Sequence, residues 1–102
     1  MAAQYLGRSG YQILARNFRR RYGEIDLIAE KGGVTYFVEV KTKQSSAYAP
    51  PHSSVGPAKR QRIARMAALW FAEQGRETAS ALLVAEVRLD EGRVALIEDF
   101  LC

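Results

Sequence analysis

Asp26, Glu39 and Lys41 are two carboxylates and an amine carried on two short apolar runs that Gly32-Gly33 joins. Residues 23–43, GEIDLIAEKGGVTYFVEVKTK, read as a β-hairpin, because a two-residue primed turn needs positive φ and glycine adopts it without steric cost. Such a loop pairs Lys31 with Val34 and sets Asp26 opposite Glu39 and Glu24 opposite Lys41. A four-residue loop keeps that register, whereas an odd-length loop puts the two acids on opposite faces. Side chains alternate along a strand, so one face carries Ile25, Leu27 and Ala29 against Val40, Val38 and Tyr36, all suited to burial. The other face starts with Ile28 against Phe37 and ends in the charged pairs.

Directly opposed strand side chains have Cβ atoms about 4.5–5.5 Å apart, a distance at which like charges destabilise. Three arrangements answer that repulsion. The two carboxylates share a proton, with one pKa raised. Alternatively they hold a divalent ion between them, as Mg²⁺ is held at about 2.0–2.1 Å by one or two carboxylates with waters and substrate phosphate. In the third arrangement they splay into solvent and leave Glu24 and Lys41 as an ordinary cross-strand ion pair.

The elements that must position these groups are legible on either side of the hairpin. Residues 2–9 read as a short helix stopped near Gly10, and residues 11–18 as a strand containing Ile13, Leu14 and Phe18, followed by Arg19, Arg20 and Arg21 at a turn closed by Gly23. Residues 44–56 form a Ser-, Ala- and Pro-rich loop with Pro50-Pro51 and the only histidine, His52, which reads as an exposed loop residue before it reads as a catalytic one. Pro57 suits the first position of a helix that runs to about Gln74 and ends at Gly75, with Ile63, Met66, Ala67, Trp70 and Phe71 as its buried stripe. Lys59 lies one turn before Ile63, on the inner side, as a snorkelling edge residue or as part of the site. Arg60, Arg62 and Arg65 flank the stripe, free to face solvent or phosphate. Residues 79–89 and 93–100 read as two strands around Asp90-Glu91-Gly92, the run Ala81–Ala85 being buried on both faces. The order is α-β-β-β-α-β-β, an α/β protein read as one domain over residues 1–102.

Composition sets the surroundings. The lone cysteine, Cys102, excludes a disulfide within these residues, which suits a reducing cytoplasm. No run approaches the roughly 18–20 apolar residues of a membrane span, so no membrane role is expected. Residues 1–65 hold twelve Lys/Arg against four Asp/Glu, and residues 66–102 three against seven. The basic half therefore contains the acid pair. That distribution suits a polyanion drawn toward a carboxylate-held cation, or else merely a solvated surface.

At GEIDLI (23–28) and FVEVKTK (37–43), supported by Gly10-Tyr11, Ala15-Arg16-Asn17-Phe18, Val55 and Lys59, the chain resembles the YraN-type family of bacterial proteins. That family is similar to the PD-(D/E)XK nucleases, whose restriction-endonuclease-like fold is shared with archaeal Holliday junction resolvases. The resemblance implies a central mixed sheet flanked by helices, and a Mg²⁺- or Mn²⁺-dependent endonuclease acting on DNA, branched or single-stranded. Asp26 and Glu39 would be metal ligands with the Val40 main-chain carbonyl as a third, Lys41 would orient the attacking water, and Glu24 would hold Lys41 or add a ligand. Arg16, Arg19, Arg20, Arg21, Lys43 and Lys59 are the implied nucleic-acid contacts, and a homodimer is the implied assembly. Two positions depart from the family's pattern: no acid precedes Glu24, and residues 81–84 read Ala-Leu-Leu-Val where relatives tend to carry an aspartate. A nucleic-acid-binding module that does not cut, and a protein-interaction domain, are the other classes the residues leave open.

Overall fold

The computed structural model describes residues 1–43 and 55–101. Its elements are α1 (Ala2–Arg8), β1 (Gln12–Arg20), β2 (Gly23–Lys31), β3 (Val34–Lys43), α2 (Pro57–Gln74), β4 (Ala79–Arg88) and β5 (Arg93–Asp99), in the expected order. His52 lies outside the described residues. The strands form one mixed sheet, β1-β2-β3-β4-β5, antiparallel except for the parallel pair β3–β4 that α2 connects. A parallel pair needs such a crossover because its strands start at the same edge.

Gly32 and Gly33 form the two-residue turn, with φ of 60° and 81° and Lys31 in register with Val34. Pro57 opens α2 behind Gly56, and Gly75 closes it in the left-handed conformation at φ 74°. Both are positions that the chemistry of these residues favours.

Alternation along β3 and β4 sorts the core into two layers. Phe37, Leu82 and Val84 meet Ile63, Met66 and Ala67 of α2, whereas Tyr36, Val38, Leu83 and Ala85 meet Ala2 and Leu6 of α1. The helices therefore cover opposite faces. Phe37 and Phe71 pack edge to face at 5.7 Å between centroids, and Phe18 and Trp70 at 5.5 Å. Trp70 is thus a core contact of α2, as its place in the stripe implies.

Strict alternation fails in β1 and β2. Ile13 belongs to the α1-side core and Ala15 packs on the other, because the register shifts between them. Asn17 then adopts φ 53° and Phe18 turns to the α2 side, taking its register partner Ile25 with it. Ile25 was expected on one face with Leu27 and Ala29. It instead fills space beneath α2, since a bulge and a left-handed residue each break the period of two.

Burial in β4 runs beyond the apolar stretch, from Ala81 to Arg88, and includes Glu86 and Arg88. Glu86 Oε1 stands 2.8 Å from a guanidinium nitrogen of Arg88 and 3.7 Å from Lys43 Nζ. Paired charge is what permits their burial.

Candidate functional site

The ladder between β2 and β3 ends at Leu27 and Val38. Beyond it, two residues along β3, the Val40 N–H donates to Asp26 Oδ2 at 2.8 Å, so a side chain takes the place of a main-chain acceptor. Asp26 and Glu39 are consequently not a ladder pair, although both line the same cleft, of about 390 Å³, where the strands part under α2. Tyr22, Gly23, Glu24, Ile25, Lys59, Arg62, Ile63 and Met66 complete its walls.

Lys59, on the first turn of α2, donates to Glu39 Oε1 and closes an ion pair across the cleft. The first turn of α2 contains no acid. Basic side chains at the positive end of a helix dipole favour a nearby anion, and Glu39 supplies it. The Asp26 carboxyl lies above the usual carboxylate range: burial is the main cause, with the Glu39 and Glu24 charges adding, against the lowering effects of the Val40 N–H and the Lys59 ammonium. A raised folded-state pKa means that stability from this group is present below the unfolded value and lost as pH rises through the folded one. In metal-free protein, Asp26→Asn should therefore raise the thermal midpoint at pH 7 and leave it unchanged near pH 3. Melting curves at the two pH values check this, and equal effects at both would remove the titration from the explanation.

The remaining expected residues divide. Glu24 lies in register with Arg19 of β1, not with Lys41, and accepts from its Nε at 2.7 Å. The expected Glu24–Lys41 pair does not form, because the β2–β3 ladder has already ended. Lys41 is half-buried on the Glu39 face of β3, in register with Glu86, and is not part of the cleft wall. Arg16 is in register with Leu27 and shares the α1-side face, away from the cleft. Arg20 grips Glu73 near the end of α2 through two bonds, 2.7 and 2.6 Å, and holds that carboxyl below its usual range. Lys43 faces Glu86. Arg21 places its guanidinium 5.2 Å from the Tyr22 ring centroid. Of the cleft residues, Tyr22 carries no signal in the sequence, whereas Arg62 is one of the arginines flanking the α2 stripe that can face solvent or phosphate. The signal for Arg62 was its spacing of three from Lys59, which puts both on one helix side.

Asp26, Glu39 and the β3 main chain offer oxygen donors of the kind hard cations take. Within a strand, a residue directs its N–H and C=O to the same side, so the Val40 carbonyl faces the side from which Asp26 approaches. The donor set fits Mg²⁺ or Mn²⁺ in kind, and a cation would offset both the burial and the neighbouring negative charge that raise Asp26. Against this, Lys59 already supplies one positive charge. Among the described residues no group of three or more acidic, His or Cys side chains converges.

Fold and cleft together define a mixed-sheet α/β protein with helices on both faces and a carboxylate-lined cleft at the point where β2 and β3 diverge. The chain belongs to the UPF0102 family, the YraN-type group: the model of "Uncharacterised protein family UPF0102" matches residues 1–97. It is 54% identical over 76 residues to a UPF0102 protein of Symbiobacterium thermophilum, covering 74% of this chain and 64% of that relative. A UPF0102 protein of Nocardia farcinica is 51% identical over 74 residues, 72% of this chain and 58% of the relative. One of Syntrophus aciditrophicus is 37% identical over 102 residues, 97% of this chain and 80% of the relative. The chain thus spans less than two thirds of the length of the first two. Among the described residues, no helix is long and apolar enough to cross a membrane.

Proposed function

We propose that the cleft is a divalent-metal-dependent phosphodiester-cleaving site acting on DNA, branched or single-stranded. The observation that carries this reading is the convergence of Asp26 and Glu39 on one cleft in the basic half of the chain, with the Asp26 carboxyl raised by burial and by its neighbours' charge. Asp26 and Glu39, with the Val40 carbonyl, hold the ion. When bound, the ion polarises a phosphodiester oxygen and lowers the pKa of its water. Lys41, two residues beyond Glu39 on the same face, offsets charge building on the phosphate. Lys59 holds Glu39 in place and offsets its charge beside Asp26.

A second reading has its own support. Lys59 bound to Glu39 and Arg19 bound to Glu24, with no convergent group of three such ligands among the described residues, also suit a nucleic-acid-binding module that does not cut. Titration calorimetry with Mn²⁺ separates the two. Wild type should take up one ion per chain, and Asp26→Ala should bind at least tenfold more weakly, as loss of a ligand requires. Equal weak binding by both would remove the site, and metal binding without cleavage of branched or single-stranded DNA would leave the binding module.

A further inference from the structure

The basic residues around the cleft differ in what they already touch. Arg19 is committed to Glu24, Arg20 to Glu73, Lys59 to Glu39 and Arg60 to Asp99. Arg21, Arg62 and Arg65 are exposed, and among the described residues none of them forms an ion pair. All three gather at one lip. Arg21 and Tyr22 are the two-residue tip between β1 and β2, since Arg20 is in register with Gly23. The Arg65 guanidinium comes to 5.6 Å from the Tyr22 ring centroid, opposite in sequence to Arg21 at 5.2 Å. Arg62 lines the cleft and passes Gly23 so closely that a Cβ there would lie 3.6 Å from its Cδ.

We propose that Arg21 and Arg65, at the Tyr22 ring, and Arg62, beside Gly23, form a grip for the phosphodiester backbone of a nucleic-acid strand and lead it to the Asp26–Glu39 cleft. This rests on reading that cleft as a nucleic-acid site. Guanidinium is the cation that binds phosphate through two parallel N–H donors, and a guanidinium held on an aromatic ring loses less freedom when the phosphate arrives. Tyr22 is thus a positioning residue. Arg19, through its Nε on Glu24, and Arg20, through two bonds to Glu73, already have acidic partners. Contacts of this kind hold the backbone without reading sequence.

The test is fluorescence anisotropy of a labelled single-stranded oligonucleotide across a salt series in EDTA, with wild type, Arg62→Ala/Arg65→Ala and Arg20→Ala. Wild type is expected to bind, and the double variant to bind severalfold more weakly. Its plot of log affinity against log salt should be shallower by about 1.4, two phosphates at about 0.7 each. Arg20→Ala is expected to keep more of the wild-type slope than the double variant while lowering the thermal midpoint. Wild-type affinity and slope in the double variant would overturn the grip, as would failure of wild type to bind. An effect confined to anionic phospholipid vesicles, absent on the oligonucleotide, would also overturn it. Because EDTA removes metal chemistry from the assay, binding through these arginines without any cleavage in Mg²⁺ would keep the grip and remove the hydrolytic reading. Cleavage that survives with an unaltered double variant does the reverse.

Discussion

Glu39→Ala, folded as wild type, is expected to lose Mg²⁺-dependent DNA cleavage by on the order of 10²–10³-fold, the cost of removing one preorganised electrostatic contact at a reacting centre. Two effects act in the same direction. One of the two proposed ligand carboxylates disappears, and the Lys59 ammonium that Glu39 had neutralised is left beside Asp26. An amine freed in this way competes with the metal ion for the remaining carboxylate. Lys59→Met makes the complementary change, because it removes the resident cation and keeps both acids. It should bind Mn²⁺ more tightly than wild type, and its hydrolysis should fall less than that of Glu39→Ala. Titration calorimetry and a cleavage time course on the same preparations read both. If Lys59→Met bound metal more weakly, the amine would be a supporter of the ion and not its stand-in, and the site would need another arrangement.

Glu86→Ala is expected to destabilise the fold by about 3–5 kcal/mol, the range for breaking a buried ion pair by deleting one partner. Glu86 is 1% exposed, and its Oε1 lies close to charged nitrogens of both Arg88 and Lys43. Without that carboxylate the buried Arg88 guanidinium loses its 2.8 Å partner and keeps Glu91 at 3.7 Å, so its lost solvation is replaced only in part. Total stabilities of small proteins are about 5–15 kcal/mol, so the variant should lose a large part of its urea midpoint. Glu86→Gln, which keeps the shape and a carbonyl oxygen, should fall between the two. A cost below about 1 kcal/mol for Glu86→Ala would mean that the end of β4 opens to water. The pair matters to the cleft because β3 runs in register with β4 there, Lys41 against Glu86 and Lys43 against Arg88. A loosened end of β4 would also loosen the strand that carries Glu39.

The element order followed from local rules that the chain obeys. Gly32-Gly33 admits one kind of turn, Pro57 and Gly75 bracket a helix whose stripe repeats with the helical period, and Ala81–Ala85 has the unbroken apolar run of a central strand. The Gly32-Gly33 register marks out Asp26, Glu39 and Lys41 in the sequence; in the structure Asp26 and Glu39 share a cleft without being paired across the strands, Lys59 joins them, and Lys41 stays outside its wall. Local rules failed where a single residue overrode periodicity. Asn17 at φ 53° and the shift near Leu14 turned Phe18 and Ile25 to the α2 side.

By itself, then, the sequence determined the strands, the helices, the tight turn and the acids of the cleft, because propensity, side-chain period and turn sterics act over a few neighbouring residues. Only the tertiary structure decided which charge meets which. Asp26 takes the Val40 N–H where the ladder ends, Glu39 takes Lys59 from 20 residues away, and Arg20 takes Glu73 from 53 residues away. It also brought Arg21 and Arg65 to the Tyr22 ring and Arg62 beside Gly23 at the lip. Those choices depend on how the sheet twists and where α2 rests on it, and electrostatic partners are selected by distance in space, which sequence spacing does not encode.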